Sequence, residues 1–183
     1  MERWVAWLRG VNVGKAGAGR KAVPMAELRA LAAELGWRGA QTYIQSGNLV
    51  FAADSEAAAL AAALERAIAA RWDFDVPVVV SGLAELSALL DACPFPDAAA
   101  TRPQLVHVGF RGAEVPDSAA EVLEPYCVGG EQVVVDGAAL WIDFPGGVGR
   151  SKLTPAVLER AAGGPVTSRN LKTLRAVREI ASR

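Results

Sequence analysis

Two hydrophobic periodicities trade places along the chain, and they do so in the same order twice. Residues 4–9 carry apolar side chains on both faces of a strand, the pattern of a central one. A loop of glycines and cations follows, from Gly10 through Lys15 and Arg20 to Lys21. Pro24 then opens a helix whose apolar residues Met25, Leu28, Ala32 and Leu35 recur at helical spacing, and Gly36 ends it. Residues 41–45 and 49–52 read as strands joined by the tight turn Ser46-Gly47-Asn48. Asp54 or Ser55 is placed to cap the next helix, which keeps Leu60, Leu64, Ile68 and Trp72 on one stripe. Residues 77–80 read as a buried strand and 83–92 as a short helix. The order is β-α-β-β-α-β plus one helix, the ferredoxin-like pattern.

The second half repeats it. Residues 104–110 read as a strand and 118–126 as a helix, and 131–135 and 138–144 form a hairpin over Asp136-Gly137. Arg150, Ser151 and Lys152 open a helix that carries Leu153, Val157 and Leu158 inward. A short strand over 166–168 and a closing helix over 171–181 complete the unit. Residues 77–86 and 165–174 also align without a gap and share their Pro, Val, Leu and Leu positions. The pattern predicts an α+β chain of two ferredoxin-like repeats, 1–92 and 104–183. Pro94, Pro96 and Pro103 break regular structure in the connection 93–103.

Composition changes this picture little. The 183 residues are 52 % hydrophobic and 21 % charged, which excludes a disordered chain. No apolar stretch approaches the roughly 20 residues a bilayer needs, and the start of the chain does not read as a signal peptide. Cys93 and Cys127 stand apart, as incidental thiols in a reducing cytoplasm do. Charge changes it more. The net −1 conceals +4 over residues 1–47, −11 over 48–149 and +6 over 150–183. Two basic ends around an acidic middle raise the expectation of a shared positive surface.

Five blocks also carry a family resemblance. Residues 7–14 (Trp7-Leu-Arg-Gly-Val-Asn-Val-Gly14), 23–29, 42–51, 149–153 and 167–170 resemble, in order, the signature blocks of the bacterial domain-of-unknown-function family 1697 (DUF1697). The chain departs from that pattern in an expanded loop at 16–19 and in Leu171, where an aromatic is expected. The resemblance implies a small soluble bacterial protein with two ferredoxin-like halves. It implies no activity.

Two constellations point to anions. A glycine-rich, cationic loop between a strand and a helix is how proteins cradle phosphates. Here the spacing around Gly14 and Lys15 is not that of a P-loop, and Gly17 to Ala22 lies too far past the strand for dinucleotide binding. The stronger constellation pairs Arg150, Ser151 and Lys152 with Ser168, Arg169, Asn170 and Lys172, each group read as a helix start. Cations at helix N-termini cost about 0.3–1 kcal/mol, a cost that a bound anion reverses. The third and fourth strands of a βαββαβ unit run the same way, so both starts belong at one sheet edge. Arg9, Asn12, Lys15, Arg20 and Lys21, with Gln45, Ser46 and Asn48, lie at the other edge of the first repeat. Antiparallel pairing of the halves would join the two edges in one groove.

The expectation is therefore a protein that binds a phosphate-bearing ligand: a nucleotide, a phosphorylated metabolite or a nucleic-acid backbone. Two alternatives stand beside it. One is an enzyme acting on such a ligand, with Arg150, Lys152 and Arg169 stabilising charge. The other is an interaction module for an acidic partner; plain surface charge would need neither. No cofactor and no metal is expected, since one histidine and two separated cysteines do not build a zinc site. His107 reads as a satisfied sheet histidine, and the strand aromatics Trp4, Trp7, Tyr43 and Trp141 as core.

Overall fold

A computed structural model describes residues 1–14 and 19–183. Lys15 therefore lies outside the described residues. Met1–Ala88 with Ala176–Arg183 form one compact unit and Leu89–Arg175 the other.

In the first unit the central strand β1 (Glu2–Leu8) is buried from Trp4 onward, so both of its faces are covered. It pairs antiparallel with β3 (Asn48–Ala53) and with β4 (Val78–Gly82), and β2 (Arg38–Tyr43) pairs with β3 to give the order β2-β3-β1-β4. Side chains alternate across a strand. Trp4 and Ala6, with Phe51 and Leu49 directly opposite them, therefore share one face. That face forms a core with Leu28, Leu31 and Ala32 of α1 (Met25–Glu34) and with Leu60, Leu64 and Ile68 of α2 (Ala57–Trp72). Trp37 stacks on Phe51, ring centroids 4.0 Å apart. The helix α3 (Leu83–Asp91) follows β4 without a loop.

The second unit repeats the plan. The strand β5 (Val106–Phe110) is flanked by β7 (Ala139–Asp143) and β8 (Thr167–Asn170), with β6 (Gln132–Asp136) outside β7. Leu140, Ile142 and Phe144 pack against Ala119 and Leu123 of α5 (Ala119–Leu123) and against Leu158, Ala161 and Ala162 of α6 (Pro155–Ala162). The closing helix α7 (Leu171–Ala181) starts directly from β8, as α3 does from β4. The aligned stretch in the sequence marks this junction, with Leu83 and Leu171 at the equivalent helix starts. Each unit is a four-stranded antiparallel sheet with helices in βαββαβ order, so the chain is an α+β protein of two ferredoxin-like repeats.

Local geometry corrects several boundaries. The strand expected at 41–45 occupies Arg38–Tyr43, with a bulge that uses Gly39 at φ +62°, and Ile44 at φ +49° ends it. Glu56, not Asp54 or Ser55, holds the N-cap position of α2. Because Glu2 pairs with Ala53, the next residue, Asp54, meets the N-terminal ammonium at 3.0 Å instead. The connection at 93–103 is not irregular: Pro96 starts the short helix α4 (Pro96–Thr101), since proline at a first helical position initiates. The hairpin turn is Gly137-Ala138, because Asp136 still pairs with Ala139.

The helix starts bear directly on the expected anion site. Arg150, Ser151 and Lys152 do not begin α6. Val148–Arg150 is a 3₁₀ turn, and α6 begins at Pro155 with Thr154 as cap, its hydroxyl accepting the Val157 N–H at 3.4 Å. Thr-Pro is the stronger start signal: one residue supplies the cap and the other a preset φ. Ser168, Arg169 and Asn170 belong to β8, and Leu171 is the first helical residue.

Candidate functional site

The cationic edge of the second unit follows from its strand pairing. Both β7 and β8 run antiparallel to β5, and near the start of β5 Val106 faces Asp143 while His107 faces Asn170. The chain therefore leaves β7 and β8 at the same edge. After β7 the glycine-rich loop turns at Gly147, whose N–H donates to the Phe144 carbonyl at 2.9 Å, and runs through the 3₁₀ turn to Ser151. Arg150 and Lys152 are exposed on it, and no ion pair among the described residues involves either. Lys172 is exposed in the first turn of α7.

Ser151 is engaged. Its Oγ accepts the Leu153 N–H at 3.1 Å, and its hydroxyl bonds the Glu131 carboxylate. That bond holds the Glu131 carboxyl below the usual carboxylate range, helped by the Gly129 N–H at 2.7 Å. A fixed negative charge thus stands beside the loop, leaving Arg150 and Lys152 as its outward cations.

The residues expected from β8 serve the fold. Arg169 is buried, and its Nη1 donates to the Thr167 hydroxyl at 3.0 Å and to the Ser168 carbonyl at 2.8 Å. Burial pushes its guanidinium down to about 10. Register puts Arg169 on the face opposite Ser168 and Asn170. Ser168 Oγ lies 3.3 Å from His107 Nδ1, and Asn170 Oδ1 accepts the Thr173 N–H at 2.8 Å as the cap of α7. His107 packs edge-on to Phe144 and is held below its ordinary value by burial, partly offset by a bond to the Gln104 backbone.

In the first unit the structure does gather Asn12, Arg20, Lys21, Gln45, Ser46 and Asn48, but mostly as stitching. The Asn12 carboxamide bonds the Val23 backbone and the Gln45 carbonyl, and the Lys21 ammonium bonds the Asp75 carbonyl. Arg20 Nη2 lies 3.5 Å from the Asn12 carbonyl. Asn48 is fully buried and donates to the Tyr43 carbonyl and the Ser46 hydroxyl. Gly47 is required at its turn: a Cβ there would lie 2.6 Å from Val11 and 2.7 Å from Leu8. Arg9 is half-buried, with its backbone N–H on the Pro77 carbonyl.

The family described as "Protein of unknown function (DUF1697)" matches residues 1–141. The chain belongs to this family. The match includes three of the five sequence blocks; those at 149–153 and 167–170, which hold the second-unit cations, lie beyond it. This DUF1697 protein is also similar in structure to the conserved bacterial protein SP0830 from Streptococcus pneumoniae, with a TM-score of 0.74 and 23 % identity over 98 % of each chain. At that identity the likeness concerns the fold. No curated protein matches the chain. Among the described residues no helix is long and apolar enough to cross a membrane, and no three His, Cys, Asp or Glu side chains group to hold a metal ion.

The sequence reading missed Asp143 and Arg102. An aspartate ending the apolar run Leu140-Trp141-Ile142 was the visible signal. Its ion pair with Arg102 joins β7 to the segment before β5.

Proposed function

We propose that this DUF1697 protein binds a phosphate-bearing ligand (a nucleotide, a phosphorylated metabolite or a nucleic-acid backbone) at the strand-end edge of its second unit. The observation that carries the reading is the exposure of Arg150 and Lys152, without carboxylate partners among the described ion pairs, on a glycine-rich loop that follows β7. Surface cations are normally left to water. Two cations held on one short loop, with a third at the start of α7, offer an anion several charge-assisted contacts at once. The reading assigns no reaction to the site.

Millimolar phosphate, sulfate or pyrophosphate should raise the melting temperature by mass action, and the gain should shrink in Arg150→Ala and Lys152→Ala. An equal anion response in wild type and the double variant refutes the site.

A second reading has its own observation. Val128 and Val148 are exposed by 71 % and 44 %, on two loops that approach at Gly129 and Gly146 beside Arg150. Apolar side chains next to cations suit an acidic protein partner, and silence toward every phosphate probe favours that reading.

A further inference from the structure

The strand β6 is the outer strand of its sheet: it pairs with β7 on one side, and among the described residues no strand pairs with the other. Sheet edges are usually blunted by a lysine, a proline or a bulge. The corresponding strand of the first unit, β2, has the bulge at Gly39. The sequence of β6, Gln-Val-Val-Val-Asp, has neither lysine nor proline, and its register with β7 runs without a shift. All three valines are half-buried, so part of each stays open to solvent. A two-residue hairpin closes on a hydrogen-bonded pair, here Asp136 with Ala139, and such pairs recur at every second residue. Gln132, Val134 and Asp136 therefore turn their backbone groups to β7, and Val133 and Val135 turn theirs outward.

A cleft opens on each face of this edge. Val133 packs toward the helices and lines one of about 280 Å³ with Glu121, Glu124 and Glu131. Gln132, the preceding residue, points to the other face and lines one of about 290 Å³ with Phe95, Asp97 and Asp143. A strand added beyond β6 would send its side chains alternately to the two faces, and so to the two clefts. In such strand addition the main-chain bonds supply affinity and the alternate pockets supply specificity. Charge narrows the occupant. The described lining of the first cleft holds three carboxylates and no cation, and the second sets Asp97 and Asp143 against Arg102. A second copy of the chain would bring its own Glu131 and Asp136 against these, like charges that disfavour pairing. A segment with lysine or arginine at alternate positions meets them with opposite charge. We propose that the β6 edge takes up an extended basic segment of a partner protein as an added strand. The site stands independently of the cationic loop and has the opposite charge preference.

Fluorescence anisotropy of the full chain with a labelled octapeptide of alternating lysine and threonine tests it, beside two control peptides. One control has glutamate in place of lysine; the other keeps the lysines and carries an N-methyl group on every backbone amide. The lysine peptide should bind saturably, and both controls should bind at least roughly tenfold more weakly. Val135→Pro removes one outward N–H and no bond to β7, and should abolish binding. The pair Glu121→Gln and Glu124→Gln, both at exposed positions, should weaken binding roughly tenfold, and it decides the matter if the proline variant does not fold. No saturable binding of the lysine peptide overturns the proposal, as does unchanged binding in the glutamine variant. Equal binding of the N-methylated peptide overturns it too, since charge alone would then account for the attraction. A dimer in sedimentation that Val135→Pro dissociates would assign the edge to a second copy and overturn it as well.

Discussion

Asn12 and Val23 pair as two strand residues do: Val23 N–H donates to Asn12 Oδ1 at 2.9 Å, and Asn12 Nδ2 donates to the Val23 carbonyl at 2.8 Å. A second bond from the same Nδ2 reaches the Gln45 carbonyl at 2.8 Å. One side chain therefore closes the segment between β1 and α1 and ties it to the β2–β3 turn, from a left-handed backbone position at φ +56°. Asn12→Ala should cost about 2–3 kcal/mol in urea unfolding, since it strands backbone groups and strains φ. Asn12→Asp keeps the acceptor and should lose less than Asn12→Ala.

His107 predicts a pH dependence. Its folded value lies below its ordinary 6.5, chiefly because burial disfavours the charged ring. Below that ordinary value the unfolded chain takes up the proton first, so acidification favours unfolding. The contribution is fully present above about pH 6.5 and is lost as the pH falls through the lowered folded value. Melting curves between pH 5 and 7.5 should show a steeper loss in wild type than in His107→Gln. Parallel pH profiles would rule out a buried neutral His107.

Arg150 and Arg169 should part company in the absence of any anion. Arg169→Ala removes a buried guanidinium with bonds to Thr167 and Ser168, and should cost about 2–4 kcal/mol from lost packing and stranded acceptors. Arg150→Ala touches an exposed side chain and should stay within about 0.5 kcal/mol of wild type. Equal losses in chemical denaturation would contradict the placement of Arg169 inside the sheet.

The alternation of strand and helix was legible in the chain because period decides it locally. Apolar residues every second position, or every third and fourth, commit a segment before any tertiary contact forms. The tight turn at Gly47 was legible for a related reason, since its backbone conformation admits few residues. The equivalence of Leu83 and Leu171 as helix starts showed in the gap-free alignment of the two halves. These local signals suffice for an α+β chain of two repeated units.

Which polar residues remain available depends on long-range packing. Arg150 and Arg169 are the same residue type in the same net-basic stretch, yet one is exposed and the other buried. Arg150 stands on the turn after β7, whereas Arg169 lies on the covered face of β8, and four strand residues are too few for a period to reveal which face that is. The engagement of Asn12 and Asn48 is not written in the sequence around them, because their partners at Val23, Gln45 and Tyr43 follow from loop closure rather than from neighbouring residue types. Asp143 was the reverse case. Its partner Arg102 lies 41 positions earlier. Chain topology, which brings the end of β7 beside the start of β5, is what makes a buried ion pair and a polar cleft from two residues that local sequence leaves unrelated.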